Sequence, residues 1–417
     1  MNCGLQWVFR LKRHSDGTIA RYKGRLVVKG YLQEAGIDFH ETFSPVVKPT
    51  TIRVVLALAH SGQNLVCRLK KALYGLKQAP RAWGAAVCPC IRDDIIVTGN
   101  HQGSIDAFVT SLDTQFSLKD LGPLNYFLGV EVEHTTDGIF LSQRKYIQDL
   151  LKQACMDQAK GSPTPMTTST NLSQHVGSAI ENESDYRSIV GALQYVVITR
   201  PDITFAINKV CQFMHRPLDQ HFKAVKRILR YLQSTMKYGL HFTTTISLDL
   251  VGFSDANWGT DVDDRRSTTG FCVFLGGNSV AWGTKKQHVV SRSTAEAEYH
   301  SLAHTATEVV WLVSLLSKLH IAPSKKATIW CDNSGAVAVS ANPVLHSKFK
   351  HVELDLFFVR EKITVGKLDV GHVPTQDQVA DIFTKPLSAS LFTKFHSSLN
   401  VVTRREQKAV IKQLEAY

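Results

Sequence analysis

Apolar and polar positions along the chain fall into blocks of different period. Between Trp7 and Ala59, short apolar runs such as Leu26-Val27-Val28 are separated by turn signals at Ser15-Asp16-Gly17 and Ala35-Gly36, and an apolar stretch from Ile52 to Ala59 closes the segment. This pattern predicts strands followed by a helix. A second block runs from Leu65 to Lys160, and the stretch 161–184, rich in Ser, Thr, Pro and Gly and without periodicity, reads as a linker. From Tyr186 to Tyr238, Ile203, Ile207, Val210 and Phe213, then Val225, Ile228, Leu229 and Leu232, recur at helical spacing and predict a helical region. Beyond Leu248 the pattern gives strands over 248–254, 269–275 and 279–282, a long helix over 295–319, a strand over 327–331, further helices and a strand near 367–373. That succession predicts an α/β domain. The expected division is therefore a first unit over 1–160, a linker over 161–184, a helical region over 185–245, an α/β domain over 246–391 and a C-terminal tail over 392–417.

With 417 residues the chain needs more than one core, and its 44% hydrophobic content supplies them. The formal net charge of +12 points to an anionic partner, nucleic acid first, because Lys and Arg neutralise phosphates and release counterions. A generally basic surface is the alternative, since the charges are dispersed in pairs such as Lys70-Lys71 and Lys285-Lys286. The 8 cysteines show no repeated spacing suited to zinc or to a disulfide framework, which suggests a reducing compartment. Met1 to Arg10 lacks a signal-like apolar core, and no stretch approaches the roughly 20 apolar residues of a membrane span. The expectation is an intracellular chain without a membrane partner.

Four acids stand where catalytic carboxylates could converge. Asp255 and Asp332 each follow an apolar strand, Glu298 lies in the first turns of the long helix, and Asp381 adjoins Val379-Ala380 in a short helical stretch. Two magnesium ions need hard oxygen ligands held close together on a rigid frame, and such a pair promotes in-line phosphodiester hydrolysis. Singly, each acid also has a plainer reading as an Asx-turn or surface residue. Glu296 competes with Glu298, but Ser293-x-x-Glu296 spells a capping box. Glu298, four residues before Leu302 on the stripe Leu302, Ala306, Val309, Val313 and Leu316, lies at the edge of the inward face and is the better metal ligand.

The runs GFSDANWGTDVDDRRSTTGFCVFLGGNSVAWGTKKQHVVSRSTAEAEYHSLA, WCDNSGAVAVSANPVLHSKFKHVELDLFFVREKI and HVPTQDQVADIFTKPL closely resemble the ribonuclease H domain of copia-type retrotransposon Pol polyproteins. WVFRLKRHSDGTIARYKGRLVVKGYLQEAGIDFHETFSPVVKPTTIRVVLALA, LVCRLKKALYGLKQAPRAW and IRDDIIVTGN resemble the fingers and palm of the same family's reverse transcriptase. DLGPLNYFLGVEVE and DYRSIVGALQYVVITRPDITFAINKVCQFM resemble its primer-holding strands and its thumb and connection. The resemblance implies a multidomain α/β and α+β architecture: a truncated fingers and palm, a helical thumb or connection, and a ribonuclease H-like α/β domain with a mixed central sheet.

It further implies that Asp255, Glu298, Asp332 and Asp381 hold two magnesium ions, with manganese as a substitute, and that the substrate is an RNA/DNA hybrid or another nucleic acid. His372 would be either a proton shuttle or a packed residue at a strand end. Lys285, Lys286 and Arg292 would touch backbone phosphates, or else form a solvated face. By resemblance the protein would reside in a cytoplasmic particle or the nucleus.

Departures from the family pattern bear on polymerisation. The family's first palm aspartate belongs to a segment that is missing here, where only His60 to Asn64 bridges the gap, and GAAVCPCIR replaces a helix and a strand before Asp93. Asp93 and Asp94 would then lack their partner carboxylate. The expectation is a hybrid-cutting ribonuclease with polymerase activity lost; the alternative is an inactive nucleic-acid-binding remnant.

Overall fold

A computed structural model describes residues 5–13, 19–28, 48–60, 65–70, 90–91, 94–99, a few positions between 103 and 111, 119–169, 171–245, 247–341 and 350–404. The chain divides into two units, Met1–Leu124 and Asn125–Tyr417. In the first, β1 (Leu5–Arg13) and β2 (Ile19–Val28) form an antiparallel ladder. Helix α1 (Pro49–His60) buries Val54, Val55, Leu56, Ala57 and Leu58. A four-stranded sheet combines β3 (Leu65–Lys70), β4 (Cys90–Ile91), β5 (Asp94–Gly99) and β6 (Lys119–Pro123) in the order β4-β5-β3-β6. Asp93 lies outside the described residues. Asp94 opens β5, opposite Lys70 of β3 and Ile91 of β4.

The second unit holds two five-stranded sheets. One is built from β7 (Tyr126–Phe127), β8 (Val130–His134), β9 (Gly138–Ser142), β10 (Tyr238–Thr243) and β16 (Val401–Thr403), in the order β16-β10-β9-β8-β7. Its strands come from three distant stretches of chain, and Ile139, Leu141, Leu240, Phe242, Val401 and Val402 are all buried. Helices α2 (Arg144–Gln153), α3 (Glu183–Val196), α4 (Thr204–Cys211) and α5 (Asp219–Ser234) belong to the same unit. The helical stripe read from the sequence is internal: Ile203, Ile207, Val210, Val225, Ile228, Leu229 and Leu232 are buried.

The other sheet contains β11 (Leu250–Asn257), β12 (Thr268–Leu275), β13 (Asn278–Lys286), β14 (Ala327–Cys331) and β15 (Leu368–His372), in the order β13-β12-β11-β14-β15. β11, β12 and β13 are antiparallel neighbours, whereas β14 runs parallel to β11 and β15 parallel to β14. This is the mixed central sheet that the resemblance leads one to expect. Gly276 and Gly277, both at positive φ, make the tight turn from β12 to β13 that a two-residue hairpin requires. Helix α6 (Thr294–Lys318) lies against the sheet through Leu302, Ala306, Val309, Leu312 and Leu316, which are buried. It ends where His320 adopts a left-handed φ of 58° and the Ile321 amide returns to the carbonyl of Leu316. Helices α7 (Ser334–Ala341) and α8 (Glu353–Thr364) follow β14, and α9 (Ala389–Ser398) leads into β16.

Three boundaries differ from the sequence reading. Stretch 161–184 is no free linker: Arg227 donates to Thr164 Oγ1 at 2.9 Å, and Ser173 donates to Asp263 Oδ1 at 2.6 Å. Residues 392–404 are no tail, since Phe392 and Phe395 of α9 are buried and β16 pairs with β10. The break near residue 160 is displaced as well, because β9 pairs with β10, across the supposed boundary. The reason is common to all three. Pairings between segments far apart in sequence leave no local period or turn signal.

Candidate active site

Four elements bring the four acids together. Asp255 lies near the end of β11, Asp332 directly follows β14, Glu298 is on the second turn of α6, and Asp381 sits in a short 3-10 stretch, Val379–Phe383. Carboxylate oxygens of Asp255, Asp332 and Asp381 lie within 4.8 Å of one another, and the same holds for ligand atoms of Glu298, Cys331 and Asp332. Asp255, Glu298 and Asp381 are buried, whereas Asp332 is half-buried.

The frame beneath the acids is polar and specific. Ser301, one turn after Glu298, donates to the carbonyl of Asp255 at 2.7 Å, which fixes α6 to β11. Gln378 donates to the carbonyl of Ser254 at 2.9 Å, and its side-chain oxygen accepts from the Ala380 amide, so it both caps the 3-10 stretch and ties it to β11. Gly270, opposite Asp255 in the ladder, allows the close approach: a Cβ there would lie 2.5 Å from Thr384 Cγ2 and 2.7 Å from Phe383 Cβ. With that space open, the Thr384 hydroxyl donates to Asp255 Oδ2 and the Lys385 ammonium lies 2.8 Å from Asp381 Oδ1.

Burial and mutual repulsion decide the protonation of the cluster. Burial first, then the charges of Asp255 and Asp332, push Glu298 up to about 10. Burial and Asp255 likewise push Asp381 up to about 7, against the pull of Lys385. Asp255 is also raised, chiefly by burial, with Lys385 and Thr384 opposing. Carboxyls this close cannot all ionise without a cation, and hard oxygen donors in this number suit magnesium or manganese. The donor set therefore fits a divalent ion.

The other sequence candidates divide. Glu296 is engaged as a cap, with its amide donating to Ser293 Oγ at 3.2 Å. Its carboxylate accepts from the Arg292 amide at 2.6 Å, one residue upstream of the amide that a capping box would engage. His372, exposed at the end of β15, has Nε2 3.1 Å from the carbonyl oxygen of Asp332, beside the cluster. Lys285 and Arg292 are exposed. Lys286 is ion-paired to Asp261 and Asp264, at 2.8 Å each, and Lys209 of α4 lies 3.6 Å from Asp261. Its charge is thus committed within the protein, which counts against the phosphate contact expected of it.

Thr384, Lys385, Gly270 and Cys331 were not singled out from the sequence. Thr384 and Lys385 carried a readable signal, standing three and four residues after Asp381, where a helical turn returns to the same face.

Residues 1–65 and 86–168 match the family described as reverse transcriptase (RNA-dependent DNA polymerase). The chain is 41% identical to the retrovirus-related Pol polyprotein from transposon RE1 of Arabidopsis thaliana, over 95% of this chain and 32% of that protein. It is 33% identical to the Pol polyprotein from transposon TNT 1-94 of Nicotiana tabacum, over 93% of this chain and 35% of that one. An uncharacterized mitochondrial protein of Arabidopsis thaliana is 44% identical, over 52% of this chain and 91% of its own length. Over most of its length the chain is similar to the retrovirus-related Pol polyproteins of plant transposons.

The chain spans about a third of the length of the curated relatives it matches. The alignment to the RE1 polyprotein runs over 462 positions, more than the 417 residues here, so that relative has segments this chain lacks. Among solved structures, a foamy viral protease-reverse transcriptase in complex with double-stranded DNA is 10% identical, with a TM-score of 0.47, over 88% of this chain and 67% of that one.

Proposed function

We propose that this chain hydrolyses the RNA strand of RNA/DNA hybrids, with Asp255, Glu298, Asp332 and Asp381 as the ligands of two magnesium ions. The observation that carries this reading is the convergence of carboxylates from four separate elements into two overlapping groups that share Asp332. When bound, the ions would supply an activated water and a Lewis acid for the leaving oxygen. The protein's own part is positioning. Ser301 and Gln378 fix the backbone on either side of Asp255, and Thr384 orients its carboxylate. Lys285 and Arg292 are exposed and would meet phosphates, placing the hybrid without reading its bases. The 2′-hydroxyls would mark the strand to be cut.

Polymerisation is absent from this proposal. The family match omits residues 66–85, and the aligned relative carries segments missing here, which supports a palm without its first metal-binding aspartate. Primer extension on an RNA template should stay at the level of a no-enzyme control. Template-dependent incorporation would refute the loss. The nuclease is tested by incubating the full chain with a labelled RNA/DNA hybrid, with magnesium and with chelator.

A further inference from the structure

We propose that Lys385 is a built-in cation of the acid cluster, one that holds the carboxylates together when no metal is bound and competes with divalent metal for Asp381. Its ammonium lies 2.8 Å from Asp381 Oδ1, an acid that is only 6% exposed, whereas Lys385 itself is 34% exposed. Its charge acts on Asp255 and Asp332 as well as on Asp381. The contact is built by the backbone: the Thr384 and Lys385 amides both return to the Asp381 carbonyl, so Lys385 stands one helical turn beyond the acid and on its side. The lysine also lines a small cleft with Met166, Phe205, Pro386 and Phe392.

A lysine beside a metal site has an electrostatic cost. A positive charge about 3 Å from a ligand oxygen weakens the attraction of that oxygen for a second cation, while without metal the same charge relieves repulsion among crowded carboxylates. Lys385 therefore trades metal affinity for stability of the metal-free fold. A lysine whose role was confined to solvation would leave metal affinity alone. This inference rests on the cluster holding a divalent cation, and not on the cleavage of a hybrid.

The test is a Mn2+ titration of the full chain, with free Mn2+ counted by electron paramagnetic resonance and the thermal midpoint followed in parallel. Lys385→Met and Lys385→Gln both remove the charge from a partly exposed side chain, so one folded variant is enough; Lys385→Arg keeps the charge. The neutral variants should half-saturate at a Mn2+ concentration lower by about threefold or more, and should melt below the parent protein in chelator. Lys385→Arg should keep the parent midpoint. Neutral variants with unchanged or weaker Mn2+ affinity would overturn the role of Lys385 and leave the metal site standing. A parent protein that binds no Mn2+ at all would instead overturn the metal-site reading, and this inference with it.

Discussion

Arg200 and Asp202 face each other with no solvent exposure on either side chain, Nη2 lying 2.7 Å from Oδ2. The pair is fully engaged. Arg200 also donates to the carbonyl of Thr235 at 3.0 Å, Tyr231 donates to Asp202 at 2.6 Å, and His396 of α9 lies 3.8 Å away. These contacts join the turn before α4, the end of α5 and the C-terminal helix into one polar seam. Breaking one partner strands a buried charge, so Arg200→Met or Asp202→Asn should cost about 3–5 kcal/mol in urea unfolding. The double replacement Arg200→Met with Asp202→Leu should lose less than the sum of the singles. Strict additivity would show that the two residues act independently.

The seam predicts a folding unit larger than the sheet of β11 to β15 alone. A fragment of residues 248–391 would cut α9 and remove β16 and the strand it pairs with, exposing the buried surfaces of Phe383 and Leu387 near its end. A fragment of residues 125–404 retains both sheets and α9. The longer fragment should unfold in one cooperative transition, and the shorter should bind a hydrophobic dye and melt broadly. A sharp melt of the shorter fragment would contradict this dependence.

Glu296 and Glu298, two residues apart on α6, should respond to mutation in opposite ways. Glu298→Gln removes a buried carboxyl pressed by Asp255 and Asp332, so in chelator it should melt at or above the parent temperature while losing hybrid cleavage. Glu296→Ala removes the acceptor of the Arg292 amide and should cost about 0.5–1 kcal/mol while leaving cleavage intact. An inactive Glu296→Gln beside an active Glu298→Gln would reverse the assignment.

Asp381 makes the metal-free protein sensitive to pH. Its carboxyl is pushed up from 3.8 to about 7 in the folded chain, so between those values the native state holds a proton that the unfolded state has released. Stability contributed by that proton is present at low pH and is lost as pH rises toward about 7. In chelator, the urea midpoint of the parent protein should therefore fall relative to Asp381→Asn between pH 5 and pH 7.5. Excess magnesium should remove the difference in slope. Parallel profiles in chelator would show that Asp381 is not perturbed.

Much of the second unit was legible in the sequence because its period is local. The stripe from Val225 to Leu232 and the runs that became β11, β12 and β14 signal their elements within a few residues. The four acids could be named as candidates from strand ends and helix turns, and it was the resemblance that joined them into one set. Other features depended on distance in the chain. β16 joins β10 from over 150 residues away, Asp263 fixes Ser173, and Lys286 is neutralised by Asp261 and Asp264 through a loop whose path carries no periodic signal. The role of Gly270 is of the same kind. It makes room for Thr384, a neighbour that only the folded sheet supplies.

Strand-resolved cleavage of an RNA/DNA hybrid tests the central claim most directly. With magnesium, the full chain should cut a labelled RNA strand internally, leave a labelled DNA strand intact, and fall silent both in chelator and in the Asp332→Asn variant. Cleavage that persists in Asp332→Asn, or a parent protein that leaves the hybrid whole while it binds Mn2+, would contradict the assignment of these four carboxylates to hydrolysis.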